Sequence, residues 1–295
     1  MSVSPENTIY DGIVMQRAIL IDERPESYGS FFTDNFADLA FNATTDVPDL
    51  YEIAFDLVAE WRSMSYSAAL PATIPSALKS FHDGYTNQEE SEAGILKFAN
   101  VILQKVAQTT PEITSDPALQ KSLHDQLIRI SAEIDEINNN LRIELDANAV
   151  WKHYLTLSPF TLGLSGTLRI VFVAMYGAYE NFIVRALSTA YGGRRFSVTK
   201  RKQFEKAFRD AFGNLYENCW DNDTLRSYRL VRNALVHAGG RVTPQLSGVP
   251  IPVVVHNETL HIYPQHLKDL YDLLKQPALE LMEHSHFRLP QNANA

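Results

Sequence analysis

The segment from Gly166 to Ala190 constrains the fold most, because it predicts one long helix in the second half of the chain. Gly192-Gly193 follows it directly and can take the left-handed conformation in which helices commonly end. The overlapping apolar stretch Phe160–Phe182 is interrupted by polar and charged residues: Ser165, Arg169, Glu180 and Asn181. A membrane-spanning helix needs about 20 predominantly apolar residues. We therefore expect a core helix of a soluble, cytoplasmic protein that has no membrane partner.

Three more helices and a hairpin are predicted after this segment. Thr199 is expected to cap a helix whose apolar residues run from Phe204 to Cys219, and Asp223 is expected to cap a helix that continues to Ala238. A last helix covers Gln265 to about Glu283, and two short strands are predicted: Val253–His256 and Leu260–Tyr263, around Asn257-Glu258. The predicted fold class is mainly α, with a C-terminal four-helix bundle that carries a small β-hairpin.

The first half is predicted to be an acidic, mostly helical region. Helical spacing marks Leu50–Trp61 and Glu90–Gln108, and Gly12–Ile21 fits a strand or a short helix; Pro71 and Pro75 are expected to break the chain. Ser115-Asp116-Pro117 predicts a helix start. It is followed by a seam of apolar residues at heptad spacing: Leu123, Leu127, Ile130, Ile134, Ile137 and Leu141. The predicted division is a region of unknown role over 1–148 and a second domain over 149–295.

Charge is distributed unevenly along the chain. The net charge is −9, but residues 1–150 carry 9 Lys/Arg against 24 Asp/Glu, whereas residues 151–245 carry 14 Lys/Arg against 6 Asp/Glu. A basic segment attached to an acidic one indicates that the two parts meet different partners, and a basic surface suits a phosphate backbone. The only cysteine, Cys219, excludes an internal disulfide and any cysteine-built zinc site.

The helix SYRLVRNALVHAGG concentrates groups that suit phosphodiester chemistry. Arg229, Arg232 and Asn233 lie on the face opposite the apolar stripe, and His237 lies four residues from Asn233, at the edge of that stripe. A guanidinium binds two phosphate oxygens and opposes developing negative charge. An imidazole exchanges protons near neutral pH. RNA carries its own 2′-hydroxyl nucleophile, so these groups require no metal and no cofactor.

The run Arg232-Asn233-Ala234-Leu235-Val236-His237 resembles the R-x4-H motif of the HEPN superfamily. The upstream run from Tyr176 to Phe182 (YGAYENF) is similar to the first core helix of such domains, and the resemblance covers roughly residues 150–285. It implies a HEPN-like four-helix domain that cleaves single-stranded RNA without a metal, as a toxin or phage-defence effector. It also implies a homodimer, and a nucleotidyltransferase-like antitoxin or another regulatory protein as partner.

The resemblance further implies roles for individual residues. His237 becomes the acid/base and Arg232 the phosphate ligand, while Asn233 positions the substrate or His237 and Glu180 orients Arg232 or His237. RNA-backbone contacts are expected from six basic residues: Arg194, Arg195, Lys200, Arg201, Lys202 and Arg229.

Two other interpretations remain open from the sequence. The domain is a non-catalytic HEPN-like binding or dimerisation module, in which Arg232 and Glu180 form a salt bridge that joins two helices. Alternatively, the chain is an adaptor whose heptad helix docks on another protein.

Overall fold

The computed structural model of the chain describes residues 25–84, 88–109, 116–140 and 146–287. The architecture is mainly helical with one small antiparallel sheet, as the sequence predicts. In these residues the α-helices are α1 (Phe36–Thr44), α2 (Pro48–Gly84), α3 (Gln88–Thr109), α4 (Pro117–Asn140), α5 (Ala147–Leu155), α6 (Ser158–Ala190), α7 (Arg201–Phe212), α8 (Asp223–His237) and α9 (Pro264–Met282). Short helical turns cover Pro25–Tyr28, Glu217–Asp221 and Ser285–Phe287.

The contacts divide the chain into two compact units, one made of Met1–Thr73 with Trp151–Ala295 and the other of Ile74–Val150. The predicted boundary between 148 and 149 lies close to one junction of these units. The segment up to Thr73, however, belongs to the same unit as the C-terminal half. The predicted division had assigned this segment to a separate N-terminal region. Its apolar residues account for this placement, since they complete the core of that unit.

Helix α6 lies at the centre of the first unit and contacts α7, α8 and α9. One side of it is buried along its length, from Thr161 to Leu187. Trp61 of α2 is fully buried and donates a hydrogen bond from Nε1 to the carbonyl oxygen of Met175, at 3.2 Å. Asp34 accepts hydrogen bonds from the Tyr271 hydroxyl and from Lys275 Nζ, both on α9. The N-terminal segment is thus tied to α6 and α9 by polar as well as apolar contacts.

The length and composition of α6 are sufficient for a membrane span, a property that core helices of soluble proteins share. Within the unit, α6 uses its apolar side to pack against neighbouring helices.

Helix α2 runs through both prolines that were expected to end it, so that prediction is wrong. The helix is continuous from Pro48 to Gly84 and includes Pro71 and Pro75. A proline inside a helix removes a hydrogen bond to the carbonyl four residues earlier. The carbonyls concerned are those of Ser67 and Pro71, and the nearby Thr73 hydroxyl donates to a different one, the Leu70 carbonyl, at 2.7 Å. The two compact units divide between Thr73 and Ile74, that is, between the two prolines.

Helix ends in the first unit follow the predicted signals only in part. Helix α6 begins at Ser158, eight residues before the predicted Gly166, and α7 ends at Phe212 and does not continue to Cys219. Gly192 and Gly193 have φ of 61° and 88° and end α6 as predicted. Helix α7 begins after Lys200, because the Thr199 hydroxyl is hydrogen-bonded to Ser197 Oγ and does not cap the helix.

Helix α8 is capped one residue earlier than predicted, whereas the cap of α7 lies one residue later. The side chain of Asn222 accepts a hydrogen bond from Leu225 N at 2.7 Å, and Asp223 is the first helical residue. The strands are β1 (Val254–His256) and β2 (Thr259–His261), joined at Asn257 and Glu258 with φ of 47° and 58°. Positive φ at both central residues makes the tight turn that was predicted.

In the second unit, α3 packs against α4. Asp116 accepts hydrogen bonds from Ala118 N and Leu119 N, which confirms the predicted start of α4. The predicted heptad seam is only partly covered, since Ile130 and Ile134 are about half exposed. The predicted element over residues 12–21 lies outside the described residues.

Candidate functional site

The first turns of α8 are fixed against α6 by aromatic residues. The Tyr176 hydroxyl donates to Leu225 O at 3.4 Å, and the Tyr179 hydroxyl donates to Cys219 O at 2.8 Å. Phe172 stacks on Tyr228 with ring centroids 6.0 Å apart. Burial raises the pKa of both α6 tyrosines, so their phenols stay protonated donors. These aromatic side chains are core and scaffold, and they set the distance between α6 and α8.

Three of the predicted site residues come together between these two helices. Arg232 Nη2 lies 3.5 Å from Glu180 Oε2, and Arg232 Nη1 donates to Asn233 Oδ1 at 3.0 Å. The side chains of Arg232 and Glu180 are 25% and 14% exposed, so the pair is largely withdrawn from water without being sealed. The result is a chain of contacts from α6 through Arg232 to Asn233 on α8.

The electrostatics of this group are set by burial. Burial raises the pKa of the Glu180 carboxyl, and the positive charges of Arg232 and Arg229 oppose the rise. The Nε atom of Arg232 is buried and has no hydrogen-bond partner among the described residues. A buried donor without an acceptor is costly in a folded protein. The guanidinium is therefore held close to Glu180 but is not fully satisfied by it.

His237 is the last residue of α8 and its side chain is exposed. Positions five apart on a helix lie about 140° apart around the axis, so the imidazole leaves α8 on a different side from Arg232. Asn233, four residues earlier, lies between them. Within the described part of the chain His237 has no hydrogen bond or ion pair, and its ring is free to meet a ligand or a second copy of the chain.

The helix end that carries His237 is held by a contact that the sequence did not reveal. Arg169 of α6 donates from Nη2 to the Leu260 carbonyl at 3.0 Å. Gly240 has φ of 82°, and a Cβ added there would lie 2.7 Å from Arg169 Nη2. Gly240 also donates to Ala234 O and accepts from Leu260 N. Glycine at 240 thus lets α8 end directly against the Arg169 guanidinium and the hairpin.

Arg229, predicted as an RNA ligand, is held by Trp220. Its guanidinium lies 4.7 Å from the Trp220 ring centroid and donates to the Trp220 carbonyl. In this position it adds positive charge near Glu180 and is not grouped with the other predicted RNA ligands.

The basic connector between α6 and α7 surrounds a cavity of about 610 Å³. Three predicted RNA ligands line it: Arg194, Arg195 and Lys200. The two others on α7 do not. Arg201 is paired with Glu205 and lies 3.7 Å from Asp221, and Lys202 is exposed without lining the cavity.

Sequence reasoning missed several residues of this cavity. Gln203, Lys206, Ala207 and Asp210 line it from α7. They recur at intervals of three and four residues, which places them on one face of a helix. That periodicity is visible in the sequence. It places Lys206 on the face of α7 that lines the cavity, and Arg201 on another face, where it contacts Glu205 and Asp221.

Two further histidines, at the hairpin, and the cysteine form no second site with other described residues. His256 and His261 meet across the hairpin with ring centroids 6.2 Å apart. Burial lowers the pKa of His261, and the nearby charge of Arg169 lowers it further. Cys219 is fully buried, and burial raises its pKa to about 12. Among the described residues no cluster of three His, Cys, Asp or Glu side chains has the geometry to hold a metal.

Comparison with models of protein families, with curated proteins and with solved structures found no match for this chain.

Proposed function

We propose that this protein is a metal-independent endoribonuclease that cleaves single-stranded RNA, and that α6 to α9 form a HEPN-like four-helix domain that works as a homodimer. The single observation that carries the proposal is the chain of contacts Glu180–Arg232–Asn233, followed one helical turn later by His237, which is exposed and has no partner among the described residues. An arginine held by a carboxylate and a free imidazole further along the same helix are two of the groups that phosphodiester cleavage uses.

In the proposed reaction the 2′-hydroxyl of one nucleotide attacks the adjacent phosphorus. An O2′–P bond forms, the P–O5′ bond breaks, and the products are a 2′,3′-cyclic phosphate and a 5′-hydroxyl. One imidazole accepts the proton of the 2′-hydroxyl, and a second imidazole donates a proton to the departing O5′. Two copies of the chain supply these two groups as His237 of each copy.

Arg232 opposes the negative charge that builds on the phosphoryl oxygens. Glu180 fixes the direction of the guanidinium, and the Asn233 side chain supports it from α8. The Arg232 side chain is 25% exposed, so a phosphate can approach the guanidinium from solvent.

A cleavage assay in EDTA tests the proposal. Fluorescent single-stranded RNA is incubated with wild type, with His237→Ala and with His153→Ala. His153 is a matched control because it is also an exposed histidine in the last turn of a helix, α5. We expect wild type and His153→Ala to cut the RNA and His237→Ala to lose about 10²–10⁴-fold in rate, the usual contribution of general acid–base catalysis. Equal rates for the two alanine variants would contradict the assignment of His237.

The second candidate function is a non-catalytic binding or dimerisation module. The Glu180–Arg232 contact favours it, because this ion pair joins α6 to α8 whether or not RNA is bound. This candidate predicts no cleavage by any variant, together with an unchanged dimer mass in size-exclusion chromatography with light scattering.

The nuclease proposal also includes a role as a toxin or phage-defence effector that a nucleotidyltransferase-like antitoxin restrains. Its test is expression in cells: the wild-type protein should arrest growth, and His237→Ala should abolish the arrest.

A further inference from the structure

The cavity between the end of α6, the following connector and α7 has a strong excess of positive charge. Four basic side chains line it (Arg194, Arg195, Lys200 and Lys206), against one carboxylate, Asp210. Its volume of about 610 Å³ lies within the range typical of small-ligand sites. A concave site with this charge favours an anion.

Two lysines of the cavity differ from the two arginines of α7 outside it, because they form no ion pair with any described residue. On α7, Arg201 is paired with Glu205, and Arg209 lies 2.7 Å from Glu217. In the described part of the chain, Lys200 and Lys206 form no ion pair. Lys200 is the residue just before α7, and Lys206 lies on α7. Two arginines of α7 outside the cavity are thus neutralised, whereas Lys200 and Lys206 stay available to a ligand.

Aromatic rings form the apolar wall of the same cavity. Tyr191 and Phe196 lie with ring centroids 5.2 Å apart, and the Tyr191 hydroxyl is fixed by donation to Ala207 O at 3.1 Å. The Arg194 guanidinium lies 5.4 Å from the Phe196 ring centroid. Phe196 is only half-buried, so part of its side chain faces the outside. Aromatic side chains beside cations are the usual platform for an unpaired nucleobase and its phosphate.

We propose that this cavity binds one nucleotide, with the base against Phe196 and Tyr191 and the phosphate on Lys200, Lys206 and Arg195. This assignment rests on the proposed function: the occupant is a nucleotide of the substrate RNA, next to the cleaved bond. A free nucleotide has the same chemistry, and competition with AMP distinguishes the two.

The position of the cavity on α6 supports an occupant from the substrate strand. Tyr191 follows the last residue of α6 and lies eleven residues after Glu180. Eleven residues extend a helix by about 16 Å and turn it by about 20° beyond whole turns. The cavity and the Glu180–Arg232 pair therefore lie along the same side of α6, in line for one extended strand.

Binding is measured by fluorescence anisotropy with a labelled eight-nucleotide single-stranded RNA. All proteins carry His237→Ala, so that the probe stays intact and binding is independent of cleavage. The test variant is Lys200→Ala/Lys206→Ala. Its charge-matched control is Lys152→Ala/Lys268→Ala, which removes two exposed lysines outside the cavity.

We expect the test variant to weaken RNA binding about tenfold or more at low salt, and to reduce the salt slope by about 1 for each phosphate that the protein no longer binds. The control should retain the parent affinity. Phe196→Leu keeps an apolar side chain and should weaken binding about fivefold or more, as the removal of one stacking platform does. Equal affinities for the test and control double variants overturn the proposal.

Competition with AMP separates the two sources of the nucleotide. Displacement of the probe by AMP, abolished in Lys200→Ala/Lys206→Ala, assigns the cavity to a free nucleotide as well as to RNA. The absence of displacement, with RNA binding still dependent on Lys200 and Lys206, assigns it to the strand alone. If the protein that retains His237 binds RNA through the cavity but does not cleave it, the nuclease function is refuted and the nucleotide-binding role of the cavity is retained.

Discussion

Removal of the Arg232 guanidinium separates its structural contribution from its chemical one. Arg232→Ala leaves the Glu180 carboxylate, 14% exposed, without the cation 3.5 Å away. Loss of one partner costs about 3–5 kcal/mol in a fully buried pair and about 0–1 kcal/mol in an exposed one. The partial exposure and the length of this ion pair place the cost of the substitution at about 1–2 kcal/mol, a fall in Tm of roughly 2–8 °C.

A double-mutant cycle with Glu180→Gln measures the pair itself. Glutamine removes the charge that Arg232→Ala leaves unpaired, so we expect the double variant to be more stable than the sum of the single losses by about 1 kcal/mol. Urea unfolding at pH 7 provides the four free energies. Additivity within about 0.3 kcal/mol would refute the claim that the two side chains are coupled.

The pH dependence of the same cycle has a definite sign. Burial raises the pKa of Glu180 in the folded protein above its ordinary value of 4.5. The contribution of this carboxyl to stability is therefore fully present below pH 4.5 and is lost as the pH rises through the folded pKa. The deficit of Arg232→Ala should be largest at neutral pH and should shrink as the pH falls toward about 4. A deficit that grows on acidification would contradict the assignment.

The same cycle also tests whether Arg232 is needed for RNA cleavage or only for stability. If the arginine only joins two helices, Glu180→Gln/Arg232→Ala should recover function along with stability. The nuclease proposal predicts that this double variant folds and stays inactive in the cleavage assay, because no guanidinium faces the phosphate.

Three further experiments, two substitutions and one labelling reaction, test other parts of the structure. Burial tends to raise the pKa of Asp34, but hydrogen bonds from Tyr271, Lys275 and Phe36 N hold it below its ordinary value of 3.8. Asp34→Asn should lower the free energy of unfolding by about 1 kcal/mol at pH 7, and this difference should persist down to pH 3.8 and be lost as the pH falls further, through the lowered pKa of the folded protein. Because burial raises the pKa of Cys219 to about 12, a thiol reagent at pH 8 should label it only after denaturant is added, and labelling of the native protein would contradict its burial. Gly240→Ala should lower cleavage and Tm more than Gly192→Ala does, since both glycines have positive φ but only Gly240 lies against Arg169; equal losses would refute a positioning role for that contact.

Local signals in the sequence predicted the elements of the second half well. Gly192-Gly193 and Asn257-Glu258 each specify a backbone conformation within two residues, and both turns occur where they were expected. Caps were displaced by one residue, because neighbouring polar side chains compete for the same backbone N–H and only the folded geometry decides between them. Pro71 was expected to break the chain, and the helix nevertheless continues through it.

The site was predictable only where its contacts are local. Asn233 and His237 are neighbours on one helix, which follows from their spacing. The Glu180–Arg232 pair depends on how α6 packs against α8, and the sequence supported it only as one of two interpretations. Arg201 looked equivalent to Lys200 in the connector, but Glu205, four residues later on α7, pairs with it, and the fold brings Asp221 to 3.7 Å. Lys206 was missed because a cavity is a property of the packed chain and not of a run of residues.

The most direct test of the central claim is the dependence of cleavage on the 2′-hydroxyl. The same single-stranded sequence is offered in EDTA as RNA and with one 2′-deoxynucleotide at the cleaved position, and the product ends are identified by mass spectrometry. The account predicts that the RNA is cut to a 2′,3′-cyclic phosphate and a 5′-hydroxyl, and that the deoxy substitution abolishes the cut at that position. Cleavage that survives the substitution, or that yields a 5′-phosphate, would contradict it.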